Sequence, residues 1–466
     1  MNIPDYVRFC IDRLEHAGFA AYAVGGCVRD SLLGLDPQDF DLCTAALPEQ
    51  TEAVFSDLPL VLAGKKHGTV AVVTGGGLVE ITTFRTEGNY ADNRHPEWVK
   101  FVPDLREDLA RRDFTVNAMA YAPTRGFADP FGGRSDLENR ILRAVGDPET
   151  RFQEDSLRIL RGVRFAVKYH LEVETDTMEA MVRQRGLMDN LTRERVFDEL
   201  CKLILLVDAA DLLRFAPILA AVIPELEPML GFDQRSPHHA YDLFTHTAHV
   251  TGAVPAELPL RWAALLHDTG KIATFTTDIT GRGHFYGHAK ESTAIADRVL
   301  HRLKAPTALR EQVVNLIGLH MTRIEPERKA VRRWLSRLGT DTMEVLLQLQ
   351  EADMGSKGTG KPGELEQFTQ LRALMVQIQA EDACLSLKDL AVNGHDLMKL
   401  GFSGREVGAG LHYLLELVLD EKADNTKEAL LREAAKFQFV GQMPEMQNAE
   451  CKMTGNDLNS SPSATP

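Results

Sequence analysis

Residues 23–42 read AVGGCVRDSLLGLDPQDFDL and place two glycines ahead of two closely spaced aspartates. A short β-like run ends at Gly25 and Gly26, and a helix-like run follows it. Two aspartates, Asp39 and Asp41, then stand two positions apart. Residues two apart on a strand point to the same face, so a strand over DFDL would present both carboxylates side by side. Two such carboxylates repel each other unless a cation lies between them, and hard oxygen ligands of this kind suit Mg²⁺.

A third carboxylate is expected from a second strand, because a site with two metal ions about 3.5–4 Å apart needs a further acidic ligand. Glu80, in GGLVEITTF, is the best candidate. We therefore predict Asp39, Asp41 and Glu80 as catalytic residues, with Mg²⁺ as the cofactor. The glycines leave backbone N–H groups open to a phosphate chain, and Arg29 lies one turn into the following helix-like run.

The composition is that of a globular protein of two to four domains. The chain has 466 residues, of which 44% are hydrophobic and 26% are charged. No apolar run reaches the roughly 18 residues of a membrane span, and the first segment is predicted as an amphipathic helix, not a secretory signal. The six cysteines are scattered without a CxxC pair, which favours a reducing cytoplasm. A net charge of −15 argues against a polyanionic partner unless the basic residues gather on one face.

The pattern changes once along the chain. Residues 20–145 alternate β-like and helical runs, which predicts an α/β (α+β) head. From about residue 150 the apolar residues follow a helical period, which predicts a long all-α body. The last segment, residues 441–466, is polar and without an apolar period, so we expect a disordered tail.

The combination of GGCVRDSLLG, DFDL, EITTFRTEG and RRDFTVNAMAY closely resembles the class II tRNA nucleotidyltransferases. These are the CCA-adding enzymes and bacterial poly(A) polymerases, which have a polymerase-β-like head. The resemblance covers about residues 20–230 and implies template-independent addition of C, C and A to the 3′ end of tRNA from CTP and ATP. It implies that Asp39 and Asp41 bind metal. It also implies contacts to the nucleotide's triphosphate and ribose from Gly25, Gly26, Arg29, Arg111, Arg112, Asp113 and Asn117.

The segment FQEDSLRILRGVRFAVKYH suggests how bases could be chosen. Asp155 and Arg158 are spaced i, i+3, so on one helix they would be neighbours. A carboxylate accepts and a guanidinium donates, which matches the amine and ring acceptor that cytosine and adenine both present. The resemblance implies that this pair is the amino-acid template, while an ordinary intrahelical salt bridge remains the alternative. Arg158, Arg161, Arg164 and Lys168 form a basic stripe that we expect to bind nucleotide and RNA phosphates, with a solvated face as the alternative.

A polar segment, NYADNRHPEWVK, follows the strand that carries Glu80. We expect a mobile loop that reshapes the pocket between nucleotides. The resemblance implies that enzymes adding only C lack most of this loop. Tyr90, Asp92, Arg94, Pro96 and Val99 match the loop of the CCA-adding members. The match favours full CCA addition, and A-only addition stays open.

The helical body contains FTHTAHV and ALLHDTGK, which resemble an HD-type metal phosphohydrolase domain. His246, His267 and Asp268 are the expected ligands of a second divalent metal, and Asp268 could bridge two ions. His284, His288 and His320 are further candidate ligands or phosphate contacts. No final aspartate is identified, because Met321 follows His320. Active hydrolysis and a purely structural, RNA-supporting domain both remain open.

We predict five segments: a nucleotidyltransferase head (1–145), a neck for nucleobase and RNA binding (146–230), an HD-type domain (231–335), a tRNA-binding body (336–440) and the tail. The predicted partners are tRNA (its 3′ end and elbow), CTP and ATP, with no membrane and no obligatory protein partner. The alternatives are a poly(A) polymerase, an A-only or CC-only tRNA nucleotidyltransferase, and an HD-type phosphohydrolase.

Overall fold

The computed structural model describes residues 1–88, 98–359, 363, 365–381 and 384–441. The chain divides into two compact units. The first comprises Met1–Met321 and Ala352–Gly360, and the second comprises Thr322–Glu351 and Lys361–Pro466. The loop residues Tyr90, Asp92, Arg94 and Pro96 and the expected disordered tail beyond residue 441 lie outside the described residues.

The first unit begins with the elements of the head. These are α1 (Asp5–His16), β1 (Ala21–Val24), α2 (Gly26–Leu32), β2 (Asp41–Thr44), α3 (Pro48–Val54), β3 (Leu60–Val61), β4 (Thr69–Thr74), β5 (Gly77–Thr83), β6 (Arg85–Gly88), β7 (Trp98–Phe101), α4 (Leu105–Ala110), β8 (Ala120–Ala122), β9 (Gly126–Ala128), α5 (Gly133–Glu138) and β10 (Ile141–Leu142). Two short 3₁₀ helices, Lys65–His67 and Thr115–Asn117, interrupt the connections.

The remainder of the chain is almost wholly helical. The first unit continues with α6 (Pro148–Glu154), α7 (Leu157–Tyr169), β11 (Glu172–Val173), α8 (Thr175–Gln184), α9 (Arg193–Ile204), α10 (Ala209–Arg214), α11 (Ala216–Val222), α12 (Leu243–Ala253), α13 (Leu258–Leu266), α14 (Lys271–Thr274), β12 (Thr276–Thr277), β13 (Gly283–His284), α15 (His288–Arg302) and α16 (Thr307–Leu319). Then follow α17 (Arg328–Leu338), α18 (Thr340–Gly355), α19 (Glu366–Ala380), α20 (Gly394–Lys399), α21 (Arg405–Leu419) and α22 (Lys427–Gly441). Further 3₁₀ helices are Arg185–Asn190, Pro224–Met229 and Leu387–Asp389.

The head is built on a seven-stranded mixed sheet with the order β3-β4-β5-β2-β1-β8-β9. Strands β2 and β5 run parallel at its centre, and the other neighbours are antiparallel. The buried faces carry β-branched and small apolar residues, for example Val70, Val72 and Ile81. The predicted α/β head followed by an all-α body is therefore confirmed.

One detail of the expected central strand is wrong. Strand β2 begins at Asp41, so Asp39 lies before the strand and does not share its pleat. Asp41 is instead the first residue of β2 and pairs in register with Glu80 of β5. The reason is local: Pro37 and Gln38 belong to an irregular connection that ends only at Asp41.

The helix that was expected to carry both Asp155 and Arg158 is also interrupted. Helix α6 ends at Glu154, and Asp155 has extended backbone angles (φ −142°, ψ 101°). Helix α7 begins at Leu157, whose N–H donates to Oδ1 of Asp155 at 3.1 Å. Asp155 therefore lies in a break between two helices, where its side chain satisfies an otherwise unpaired N–H of α7.

Among the described helices, none combines the length and the apolar character needed to cross a bilayer.

In the second unit, acids of the same unit pair with the positive charges of helix α17. Arg333 pairs with Asp420 at 2.6 Å, and Arg328 pairs with Glu421 at 2.6 Å. These ion pairs engage two of the basic residues of the stretch RKAVRRWLSRLG, residues 328–339.

Helix α7 approaches the head closely because residue 162 is glycine. A Cβ built on Gly162 would lie 2.8 Å from a ring carbon of Phe114 and 3.2 Å from Cε of Met181. We expect Gly162→Ala to lower the thermal midpoint, since overpacking of this kind costs about 1–3 kcal/mol and outweighs the gain in helix propensity. Gly186→Ala is the control, because a Cβ there meets no atom within 4 Å. Equal midpoints for the two variants would contradict this account of the contact.

Candidate active site

The carboxylates of the head lie at the end of the paired strands β2 and β5. Asp41 stands opposite Glu80 in the parallel register. Burial raises the pKa of Asp41, and the negative charges of Glu80 and Asp39 raise it further, while Arg112 opposes them. Asp39, Asp41 and Glu80 thus form a set of like charges whose repulsion a divalent cation would relieve. They are not among the sets of three ligands lying within 4.8 Å of one another in the described residues, so an ion here would also need water or phosphate oxygens.

The glycine pair places backbone against a guanidinium. Gly25 has φ +76°, a conformation that favours glycine, and a Cβ at this residue would lie 2.8 Å from Nη1 of Arg112. Arg112 therefore lies next to Gly25 while its charge also acts on Asp41. A positive side chain between open backbone and the carboxylates is suited to the triphosphate of a nucleotide.

Two residues of the RRD motif, Arg111 and Asp113, form ion pairs with neighbouring elements. Arg111 pairs with the fully buried Asp108 at 2.9 Å. Asp113 accepts from Nδ2 of Asn117 at 3.0 Å, and its other oxygen accepts from Nε and Nη2 of Arg161 at 2.9 and 2.7 Å. Burial alone would raise the pKa of Asp113, but Arg161 and Asn117 outweigh it and hold that pKa well below the usual range. Asp113 and Asn117 are thus hydrogen-bonded to each other, and Asp113 is a buried anion.

The environment of Arg29 differs from the expected contact with a triphosphate. Its side chain is buried (5% exposed) and donates to Oδ1 of Asn117, to the hydroxyl of Tyr169 and to Asp30. Its guanidinium carbon also lies 4.2 Å from the ring centroid of Tyr169. In this structure Arg29 is a contact between α2 and α7 and not an open phosphate ligand, because α7 packs over the helix face that carries it.

The two residues of the predicted base-reading pair bind different partners. Asp155 pairs with Arg195 of α9 at 2.9 Å, and Arg158 pairs with Glu154 at 2.6 Å. Nη2 of Arg158 also donates to the carbonyl oxygen of Arg111 at 2.9 Å, which joins α7 to the RRD motif. The expected alternative of a simple intrahelical bridge between Asp155 and Arg158 is replaced by these contacts.

The arginines of the basic stripe of α7 are paired with acids, which differs from the expected open phosphate track, although 37% of the Arg161 side chain is exposed. Arg161 pairs with Asp113, and Arg164 pairs with Glu199 of α9 at 2.5 Å, with only 13% of its side chain exposed. Of the stripe, Lys168 is exposed, and its Nζ lies 5.0 Å from the ring centroid of Tyr169. Helical spacing does place these residues on one face, but that face packs against the head and α9.

A second polar site lies buried among the helices of the same unit. Its members come from five elements or their ends: His246, His267, Asp268, His288, His320 and Asp353. Nε2 of His246 lies 3.0 Å from Asp353 and 3.5 Å from Asp268, and Nε2 of His267 lies 3.1 Å from Asp268. Two sets of ligand atoms within 4.8 Å share Asp268, namely His246–His267–Asp268 and Asp268–His288–His320. We call these six residues the histidine cluster.

The imidazoles of the histidine cluster are oriented by the backbone. Nδ1 of His267 bonds the carbonyl oxygen of Ala264 at 2.7 Å, and Nδ1 of His288 bonds that of Phe285 at 2.8 Å. The Nε2 atoms of His267 and His288 have no hydrogen-bond partner among the described residues, and both lie near the carboxylate of Asp268. Burial lowers the pKa of His320 to about 4, and the charge of His267 lowers it further. Burial lowers the pKa of His267, but the charges of Asp268 and Asp353 outweigh it and raise that pKa, so a metal would have to displace a proton from this imidazole.

Asp353 is the member of the histidine cluster that the sequence analysis did not identify. The signal was available, since Met343 and Leu346 are buried at helical spacing and Asp353 continues the same stripe of α18. A carboxylate on an apolar face needs a partner, which here is the histidine cluster. His284, in contrast, lies at the rim of an adjoining cavity of about 250 Å³, where it contacts Asp278.

Three segments of the chain match models of known protein families. Residues 21–143 match the family model "Poly A polymerase head domain". Residues 170–230 match "Probable RNA and SrmB- binding site of polymerase A", and residues 284–434 match a model of tRNA nucleotidyltransferase domain 2. With its mixed sheet and paired acids, the head is therefore that of a nucleotidyltransferase.

Similar enzymes from other organisms identify the family within the nucleotidyltransferases. The CCA-adding enzyme of Streptococcus thermophilus (strain CNRZ 1066) is 33% identical over 432 residues, which cover 90% of this chain and 94% of that enzyme. The chain belongs to the CCA-adding enzyme family. The match to the enzyme of Streptococcus suis (strain 05ZYH33) is 46% identical over 230 residues and spans 56% of that enzyme's length and 47% of this chain.

Solved structures agree on the fold. The crystal structure of the Bacillus stearothermophilus CCA-adding enzyme in complex with CTP superposes with a TM-score of 0.65 at 28% identity, covering 95% of this chain and 99% of that one. The Thermotoga maritima CCA-adding enzyme complexed with tRNA_CCA gives a TM-score of 0.57 at 21% identity, covering 94% and 96% of the two chains. The latter likeness concerns the fold alone.

Gly25→Ala tests the contact between the glycine pair and Arg112. The new Cβ would displace the guanidinium, and we expect kcat/KM for nucleotide incorporation to fall at least about tenfold, since a hydrogen bond to a charged group is worth about 1.5–3 kcal/mol. Gly34→Ala is a matched control, because Gly34 also has a positive φ (+73°) but no atom within 4 Å of its Cβ position. Equal losses in both variants would attribute the effect to backbone strain alone.

Proposed function

We propose that the protein adds C, C and A to the 3′ end of tRNA, using CTP and ATP and no nucleic-acid template. The observation that carries the proposal is the register of Asp41 with Glu80, which assembles acidic groups next to Arg112 and Gly25. Membership of the CCA-adding enzyme family supports the same activity. The proposal places the protein in the cytoplasm, which suits the free cysteines Cys10, Cys27, Cys43, Cys201 and Cys384.

Asp39, Asp41 and Glu80 would hold Mg²⁺, and the raised pKa of Asp41 fits such a role because a cation offsets the charges that raise it. When bound, Mg²⁺ would favour ionisation of the attacking 3′ hydroxyl and neutralise the leaving pyrophosphate. Arg112 contributes a positive charge on the triphosphate side. In the reaction, the 3′ oxygen of tRNA bonds to the α-phosphorus, and the bond to pyrophosphate breaks.

Base selection is assigned to Asp155 and Arg158. Asp155 keeps free lone pairs although it already accepts from Leu157 and Arg195, because each carboxylate oxygen can accept two hydrogen bonds. It can therefore accept from the amine of cytosine or adenine while its contacts hold it in place. Uracil and guanine present a carbonyl there, and an unpaired buried charge costs at least about 1–3 kcal/mol.

Incubation with tRNA that lacks its 3′ CCA, and with each labelled nucleotide singly and together, tests the proposal. We expect two cytidines and one adenosine to be added, and Asp41→Asn to abolish addition because the metal loses a ligand. Asp36→Asn is the control, since Asp36 is an exposed residue of the same connection. Arrest after two cytidines would make the protein a CC-adding enzyme, adenosine alone an A-adding enzyme, and unlimited adenosine a poly(A) polymerase.

A second candidate function follows from the histidine cluster. We propose that it binds a divalent metal and hydrolyses phosphoesters. Supporting this, Nε2 atoms of His246 and His267 face carboxylate oxygens of Asp268 and Asp353 with no hydrogen-bond partner among the described residues. A bound divalent metal would supply an activated water. Lys271, whose Nζ lies 2.8 Å from Asp268 and which lines the adjoining cavity, would contact the phosphate.

Asp353→Asn tests the metal site. We expect the metal content after dialysis against Mn²⁺, measured by mass spectrometry, to fall by at least about tenfold, as loss of a charged ligand implies. Hydrolysis of p-nitrophenyl phosphate and of a 2′,3′-cyclic phosphate should fall with it. Asp341→Asn, at an exposed position of the same helix, is the control. Full metal content in Asp353→Asn would exclude Asp353 as a ligand, and metal without hydrolysis would leave the cluster a structural role.

A further inference from the structure

Arg29 joins the head to α7, the helix that follows it, and the proposed reaction needs these two parts in register. It belongs to α2, which directly follows the glycine pair, and its guanidinium contacts Tyr169 at the last turn of α7. The guanidinium carbon lies 4.2 Å from the ring centroid of Tyr169 and 5.2 Å from that of Phe165. Both rings belong to α7, the helix that carries Arg158 near its first turn.

The same guanidinium begins a chain of hydrogen bonds that returns to α7. Arg29 donates to Oδ1 of Asn117, whose Nδ2 donates to Asp113 at 3.0 Å. Asp113 in turn accepts from Arg161 of α7 at 2.7 and 2.9 Å. The circuit therefore links the glycine pair, the RRD motif and α7 through groups that are mostly buried.

We propose that Arg29 is a positioning residue that fixes α7 against the catalytic elements and so contributes to the choice of nucleotide. This inference rests on the proposed role of Asp155 and Arg158 in reading the base. Arg29 touches neither substrate nor metal in this role. It acts through Tyr169 and Asn117, which set where the first turn of α7 stands relative to Asp41.

The side-chain chemistry explains why arginine occupies the position. A planar guanidinium has five donors and two faces, so it can bond an amide oxygen, a hydroxyl and a carboxylate while its face lies on an aromatic ring. Lysine has a compact ammonium that cannot reach these partners in the same geometry. A small shift of α7 would move Arg158, and misplacement by about 1 Å can cost a hundredfold in rate.

The test compares Arg29→Lys and Tyr169→Phe, which removes only the hydroxyl that Arg29 contacts. Addition of the first nucleotide to tRNA lacking CCA is measured with CTP and with UTP, and the ratio of kcat/KM is taken. We expect the ratio to fall about tenfold in Arg29→Lys and a few-fold in Tyr169→Phe, in line with one or two lost charged hydrogen bonds. The double variant should be no worse than Arg29→Lys, because both changes break one contact.

Tyr121→Phe, in β8 of the same sheet, is the matched control and should keep the ratio. Thermal midpoints are recorded for every variant, and Tyr169→Phe keeps the test decisive if Arg29→Lys fails to fold.

Asp155→Ala is the reference for base reading. A ratio that falls in Asp155→Ala but not in Tyr169→Phe or Arg29→Lys would overturn this inference alone. An equal rise in KM for all four nucleotides in Arg29→Lys would make Arg29 a phosphate ligand and overturn it too. An unchanged ratio in Asp155→Ala would remove the proposed base reading and this inference with it.

Discussion

The two-pronged contact between Asp113 and Arg161 is the constraint on which the head depends. It ties the RRD motif to α7 through two bonds of 2.7 and 2.9 Å, and the carboxylate is buried. Removing Arg161 would leave the buried Asp113 carboxylate without its charged partner and weaken the tie between the RRD motif and α7. The same contact fixes Asn117, and through Asn117 it fixes Arg29. The proposed base reading and phosphate binding can share one geometry because this pair holds their elements together.

Much of the fold could be predicted from the sequence, because the evidence was local. Short β-like runs between turn residues predicted β1, β4 and β5, and the helical spacing of Val7, Ile11 and Leu14 predicted α1. Contacts between distant residues could not be predicted, since periodicity does not say which acid faces which base. Arg29 finds Tyr169 across 140 positions, and Asp155 finds Arg195 across 40. The pairing of Arg158 with Glu154 and of Arg164 with Glu199 could not be predicted for the same reason. The spacing of a basic stripe is the same whether it faces water or a carboxylate.

The two polar sites solve opposite electrostatic problems. In the head, burial and then the charges of Glu80 and Asp39 raise the pKa of Asp41 against the opposing effect of Arg112, so the site favours added positive charge. In the histidine cluster, His267 and Lys271 already lower the pKa of Asp268 despite its burial, so the pair of charges is balanced internally. A metal bound there must therefore compete with a proton on imidazole, whereas a metal in the head meets carboxylates that repel one another. Affinity in the cluster rests on ligand geometry, and affinity in the head rests more on charge and on the arriving nucleotide.

The parallel register of β2 and β5 limits how the gene for this protein can change in length. Glu80 is the fourth residue of β5, three positions after Gly77, where the hairpin from β4 closes against Thr74. One codon inserted or lost between the turn and Glu80 would bring an apolar neighbour opposite Asp41 and turn the acid to the other face. Codons added within the turn itself would leave that pairing untouched. The number of residues between the turn and Glu80 therefore matters to the site as much as the acids that it aligns.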